Sequence, residues 1–212
     1  MNKTEIINRL LNPPVVAIIR ADSSDQLLGA AEALVAGGIS AMEVTMTTPN
    51  ALEVIKTVSN ALGDQILMGV GTVLDTETCR MALLAGAKFV VTPVMKPEII
   101  QMCNRYSIPI ACGAYTPTEA LAAHEAGADF IKIFPADGLG PGYMKAVLAP
   151  LPMLRIIPTG GVDATTARSF LDAGCVGVAA GSSLVSKEIL KNQDWAALTE
   201  RAKAFVAAVT RA

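Results

Sequence analysis

A chain of 212 residues fits one domain (1–212), and 52% hydrophobic against 17% charged residues gives a sizeable core with too little charge for disorder. The net charge of −2, from 17 basic and 19 acidic residues spread along the chain, leaves no basic block for nucleic acid or a membrane surface. No apolar run approaches the roughly 18 residues that span a bilayer, and residues 1–20 lack the apolar stretch of a leader, so a soluble cytoplasmic protein is expected.

In chain order, residues 2–11 read as an extra helix placed to close one end of the fold. Eight short apolar runs follow, at 15–19, 39–44, 66–68, 89–91, 108–111, 130–133, 155–157 and 176–179. Between and after them lie helical windows at 24–37, 49–62, 75–86, 97–106, 117–127, 141–149, 164–174 and 195–209. Four windows end in Ala-Gly (Gly37, Gly86, Gly127, Gly174), where glycine accepts the left-handed C-cap. Thr48-Pro49 and Thr116-Pro117 pair a cap residue with proline at the first helical position. Eight such alternations predict a closed (β/α)8 barrel; a doubly wound open sheet is the alternative.

Cys79, Cys103, Cys112 and Cys175 stand singly, without Cys-x-x-Cys spacing, and read as apolar fillers in a reducing compartment. His124 is the sole histidine, with no nucleophile or second ligand near it in sequence. Histidine triads and histidine-rich metal sites are thereby nearly excluded, and no metal or cofactor is expected.

Two charges are out of place. Strands of a parallel barrel are covered on both faces and read as continuous hydrophobic runs, yet Lys132 sits in Phe-Ile-Lys-Ile-Phe and Glu43 in Ala-Met-Glu-Val. Loss of hydration favours the neutral, nucleophilic amine, which Schiff-base chemistry with a ketone requires. The structural alternatives are a snorkelling lysine and a buried ion pair, but such a pair gains little over apolar residues. Displaced ionisable groups mark active sites.

In such barrels chemistry sits where strands end and βα loops begin. Those positions carry Arg20, Glu43 and Thr45, Thr72, Thr92-Pro93, Cys112-Gly113, Lys132 with Phe134, Thr159-Gly160-Gly161, and Gly181-Ser182-Ser183. The glycine-rich ends after strands 7 and 8 are the usual phosphate site of this architecture.

The phrases Glu-Val-Thr-x-x-Thr-Pro (43–49), Gly-Val-Gly-Thr-Val (69–73), Val-Thr-Pro (91–93), Ile-Lys-Ile-Phe-Pro (131–135) and Pro-Thr-Gly-Gly-Val (158–162) resemble the 2-keto-3-deoxy-6-phosphogluconate and 4-hydroxy-2-oxoglutarate aldolases, with the similar 6-phosphogalactonate enzymes. The resemblance runs nearly end to end. It implies a metal-free lyase in which Lys132 forms an iminium with the keto acid and Glu43 moves protons. It further implies Thr72 near the pyruvyl carboxylate, and Phe134 and Pro93 as pocket walls. Gly160, Gly161 and Ser182 would hold the phosphate, Thr159 would influence substrate choice, and the assembly would be a homotrimer.

One departure matters: some members carry an arginine where this chain has Thr47. Arg20 is a substitute for gripping the carboxylate, its structural alternative being a rim salt bridge. Two other functions fit the same pattern. One is a phosphate-binding isomerase, which would use a carboxylate pair and form no imine. The other is a catalytically idle trimeric barrel used as an assembly subunit, for which exposed Leu28, Met81, Met102 and Leu148 would argue.

Overall fold

Apolar runs covered on both faces become eight parallel strands: β1 (Val15–Ile19), β2 (Ala41–Thr45), β3 (Leu67–Gly71), β4 (Phe89–Val91), β5 (Ile110–Ala114), β6 (Phe130–Ile133), β7 (Ile156–Pro158) and β8 (Val178–Ala180). Their order is β7-β6-β5-β4-β3-β2-β1-β8, each neighbour pair parallel. A bridge between Thr159 and Ala179, with the Val176 N–H donating to Ile156 O at 3.0 Å, brings β7 against β8 and nearly closes the barrel. The computed structural model describes residues 1–21 and 25–210; Ser24, the expected start of the first helical window, lies outside them.

Around the strands run α1 (Lys3–Leu10), α2 (Asp25–Ala36), α3 (Ala51–Leu62), α4 (Thr76–Ala85), α5 (Pro97–Arg105), α6 (Pro117–Glu125), α7 (Gly140–Leu148), α8 (Ala167–Asp172), α9 (Lys187–Asn192) and α10 (Trp195–Thr210). The cap chemistry explains several boundaries. Asn2 and Thr116 open α1 and α6 with reciprocal capping boxes, and Gly86 closes α4 in the left-handed conformation. The expected extra helix is present as α1. The six-residue α9 was not expected; it is an extra helix between β8 and α10, outside the alternation of one helix per strand.

Strand alternation separates two cores. Outward residues such as Ile19, Val44, Val70 and Ile133 pack under the helices. Inward residues Val16, Ile18, Ala41, Leu67, Phe89, Val91, Phe130, Ile157 and Ala179 fill the barrel, joined by Ile6 and Leu10 of α1. That helix therefore plugs the N-terminal end and leaves the C-terminal mouth for chemistry.

Two strands run further towards the mouth than their apolar runs suggest. β3 continues through Gly69 to Gly71, and β5 through Gly113 to Ala114. Glycine is a poor strand former, so propensity ends these strands early. Close approach is what demands it: a β-carbon at Gly69 would meet the Phe89 ring, and one at Gly113 the Pro93 backbone. Of the helical apolar residues named above, Met81 is exposed, while Leu28, Met102 and Leu148 are half-buried.

Candidate active site

Glu43 and Lys132 belong to the inward-facing set of β2 and β6. Register places Glu43 beside Ile18 of β1 and Gly69 of β3, and Lys132 beside Gly113 of β5 and Ile157 of β7. Both side chains converge across the barrel above the apolar plug. Lys132 Nζ lies 3.8 Å from Glu43 Oε1, with the residues only 7% and 1% exposed. At 3.8 Å the pair is a charge contact and not a hydrogen bond. Glu43 Oε1 is buried without a hydrogen-bond partner among the described residues. An ion pair retained for stability would satisfy those lone pairs; an unsatisfied one costs about 1–3 kcal/mol.

Thr159 joins them. Its hydroxyl is likewise buried and unpartnered, and it lines, with Glu43 and Lys132, an internal cavity of about 20 Å³. Its surface is almost wholly apolar, the kind of cavity that stays dry. Apolar Leu10, Val16, Phe89, Phe130 and Ile157 are among its walls. Phe134 covers the lysine, its ring centroid 5.2 Å from Nζ, a cation–π distance.

Around this centre the other strand-end residues form a rim. Thr72, directly after β3, has φ +59°, a left-handed backbone that a β-branched residue rarely adopts. Such strain persists where surrounding structure imposes it, and it concentrates at functional sites. Pro93 is held by Thr92, whose hydroxyl donates to Val94 O at 2.7 Å and accepts from the Gly113 N–H at 3.0 Å. β4 and β5 are thereby tied together at the mouth beside Lys132.

Gly160 and Gly161, with φ of +98° and +69°, line a mouth pocket of about 270 Å³ together with Arg20, Phe134, Thr159 and Ser182. Only glycine takes those dihedrals freely. The Ser183 hydroxyl donates to Val162 O and so links the two glycine-rich loops. Asp163 also borders this pocket, but its Oδ1 accepts from the Thr165 hydroxyl and from the Thr165 and Thr166 N–H groups. Those donors, the Thr165 hydroxyl foremost, hold its carboxyl below the usual carboxylate range.

The structure thus gathers Lys132, Glu43, Thr159 and Phe134 at the centre, with Arg20, Gly160, Gly161 and Ser182 in the adjoining pocket. Thr47 stands apart: it is exposed, and its hydroxyl shares a hydrogen bond of 2.7 Å with Thr45. Arg20 is exposed and makes no rim salt bridge among the described residues. One contributor was overlooked in the sequence, Gly71. A β-carbon there would overlap the Glu43 carboxylate, so the missing side chain is the space that group occupies. The alternating glycines 69 and 71 within one strand were the available signal.

A closed parallel barrel presenting a buried lysine and a carboxylate to one mouth defines an enzyme of the aldolase class, a carbon–carbon lyase. Residues 6–201 match the family model for KDPG and KHG aldolase, and the chain belongs to that family. Among curated relatives, a 2-dehydro-3-deoxy-6-phosphogalactonate aldolase of Escherichia coli is 36% identical over 81% of this chain and 84% of its own. A 2-dehydro-3-deoxy-phosphogluconate aldolase of Treponema pallidum is 35% identical over 92% and 91%. The structure of KDPG aldolase from Legionella pneumophila, with pyruvate captured as a covalent carbinolamine, superposes with a TM-score of 0.84 at 30% identity, covering 93% of this chain and 96% of that one.

Proposed function

We propose that the enzyme cleaves 2-dehydro-3-deoxy-6-phosphogluconate to pyruvate and glyceraldehyde 3-phosphate through an imine on Lys132. The observation that carries this reading is the Lys132–Glu43 pair, buried, 3.8 Å apart and incompletely hydrogen-bonded inside the barrel. Lys132 Nζ adds to the C2 carbonyl, and Glu43 passes a proton to the departing hydroxyl as the carbinolamine loses water. The iminium then accepts the electron pair of the C3–C4 bond while Glu43 takes the C4 hydroxyl proton, releasing the aldehyde. The enamine is protonated at C3, and hydrolysis of the imine frees pyruvate and the amine.

Thr72 is assigned to the pyruvyl carboxylate and Phe134 and Pro93 to the pocket walls. Gly160, Gly161 and Ser182 receive the phosphate, and Arg20, which lines the same pocket, grips the substrate's carboxylate. With Thr47 in place of an arginine, Arg20 is the guanidinium that lines both the glycine-loop pocket and the pocket containing Thr47. The galactonate epimer is a second reading, favoured by the 36% identical Escherichia coli relative, and Thr159 is positioned to influence that choice. 4-Hydroxy-2-oxoglutarate, which has no phosphate, would leave the glycine pocket unused. An assembly role is compatible with activity and does not replace it. A homotrimer in the cytoplasm is part of the same proposal, supported by family resemblance, by exposed Leu74, Met81 and Leu84, and by four free cysteines.

Borohydride reduction in the presence of pyruvate should add a covalent pyruvyl adduct at Lys132, located by peptide mass spectrometry. No adduct, or an equal one in Lys132→Ala, would defeat the imine reading, whereas trapping without cleavage would point to the idle-barrel alternative. Comparing kcat/KM for the phosphorylated gluconate, phosphorylated galactonate and 4-hydroxy-2-oxoglutarate then assigns the substrate.

A further inference from the structure

Beside the glycine-loop pocket lies a second one of about 420 Å³, between the end of β1, the loop after β2 and the short helix α9. Arg20, Gln26, Thr47, Thr48, Lys187 and Lys191 supply its polar lining. Lys187 and Lys191 are one helical turn apart and share a face of α9. None of the three cations has an ion-pair partner among the described residues. Like charges converging on one concavity repel unless an anion joins them. Thr48 also lines the pocket, 4% exposed, with its buried hydroxyl lacking a hydrogen-bond partner among the described residues.

From this cluster we infer an ancillary phosphate-binding site, distinct from the pocket that receives the phosphate of the reacting substrate. A tetrahedral dianion has enough acceptor oxygens to meet a guanidinium and two ammoniums together. Arg20 lines both pockets. An anion in the outer pocket draws the guanidinium towards itself and weakens its hold on substrate, so phosphate raises KM and leaves kcat unchanged. This consequence rests on the assignment of Arg20 to substrate binding; occupancy of the outer pocket does not.

The test titrates the full chain with inorganic phosphate, followed by calorimetry and by phosphorus NMR, in wild type, Lys187→Gln/Lys191→Gln and Ser182→Ala. Two sites are expected in wild type. One of them should weaken by about tenfold or more in the double lysine variant, whose basal turnover stays normal and whose KM rises less with phosphate than the wild type's, the remaining rise being competition at the glycine loops. Ser182→Ala should weaken the other site. Indistinguishable isotherms in wild type and the double lysine variant would overturn the proposal. Loss of a site in the lysine variant, with none lost in Ser182→Ala, would uphold it and count instead against the glycine loops as substrate phosphate site. Glycerol 3-phosphate run in parallel tells whether a phosphate ester or free phosphate is the preferred occupant; both belong to the inferred chemistry.

Discussion

Gly71 of β3 and Glu43 of β2 divide a single space: the glycine has no side chain where the glutamate places its carboxylate. Gly71 has an ordinary backbone conformation, absent from the positive-φ glycines, so alanine would be tolerated by the chain and resisted only by Glu43. Gly71→Ala should displace the carboxylate from Lys132, destabilise the fold by about 1–3 kcal/mol and remove most turnover. Denaturant unfolding and a coupled pyruvate assay measure the two effects; full activity would show that the carboxylate has freedom the packing denies.

Glu43→Gln keeps the volume and removes the charge. The variant should remain folded, because glutamine keeps the shape of the carboxylate, but leaving the buried ammonium without its charge partner should cost it up to about 3–5 kcal/mol. Its kcat should fall by about 10²–10⁴-fold, the scale of general acid–base catalysis. Unimpaired cleavage would take Glu43 out of the proton path.

Thr72 stores strain. Its φ of +59° costs a residue with a β-carbon about 1–2 kcal/mol that glycine avoids. Thr72→Gly should therefore lose little stability, or gain up to about 1 kcal/mol after the flexibility of glycine in the unfolded chain is counted. Loss of the hydroxyl should raise KM for keto acids. A stabilised variant with unchanged KM would leave the strain without a functional reason.

The capping box of α6 sets a pH dependence. Glu119 Oε2 accepts from the Tyr115 N–H at 3.0 Å and from the Thr116 N–H and hydroxyl at 2.9 and 2.8 Å. These donors, the Tyr115 N–H first, lower its carboxyl from the ordinary glutamate value. A depressed native value means stability that is complete above the unfolded value of about 4.3 and lost as pH falls through the native one. The gap between wild type and Glu119→Gln, followed by thermal unfolding, should be widest near neutrality and close in acid. A constant gap would mean that the lost hydrogen bonds do not depend on ionisation.

Lys132 and Glu43 were legible without coordinates because a strand covered on both faces has no cheap place for a charge. The glycine loops after β7 and β8 were legible because their glycines allow backbone that other residues resist. α9 was not: it is an extra helix between β8 and α10, outside the alternation of one helix per strand. The ends of β3 and β5 were obscured because glycine, a weak strand former, stands there for reasons of close approach. The sequence alone determined the alternation of elements, the two displaced charges and the polar strand ends, since periodicity, capping and burial are written locally along a chain. Only the tertiary structure decided that Gly71 makes room for Glu43, that Thr159 shares a cavity with the pair, and that Arg20 borders two pockets. Those relations depend on strand register and barrel closure, which bring distant residues into one volume and leave no mark in local order.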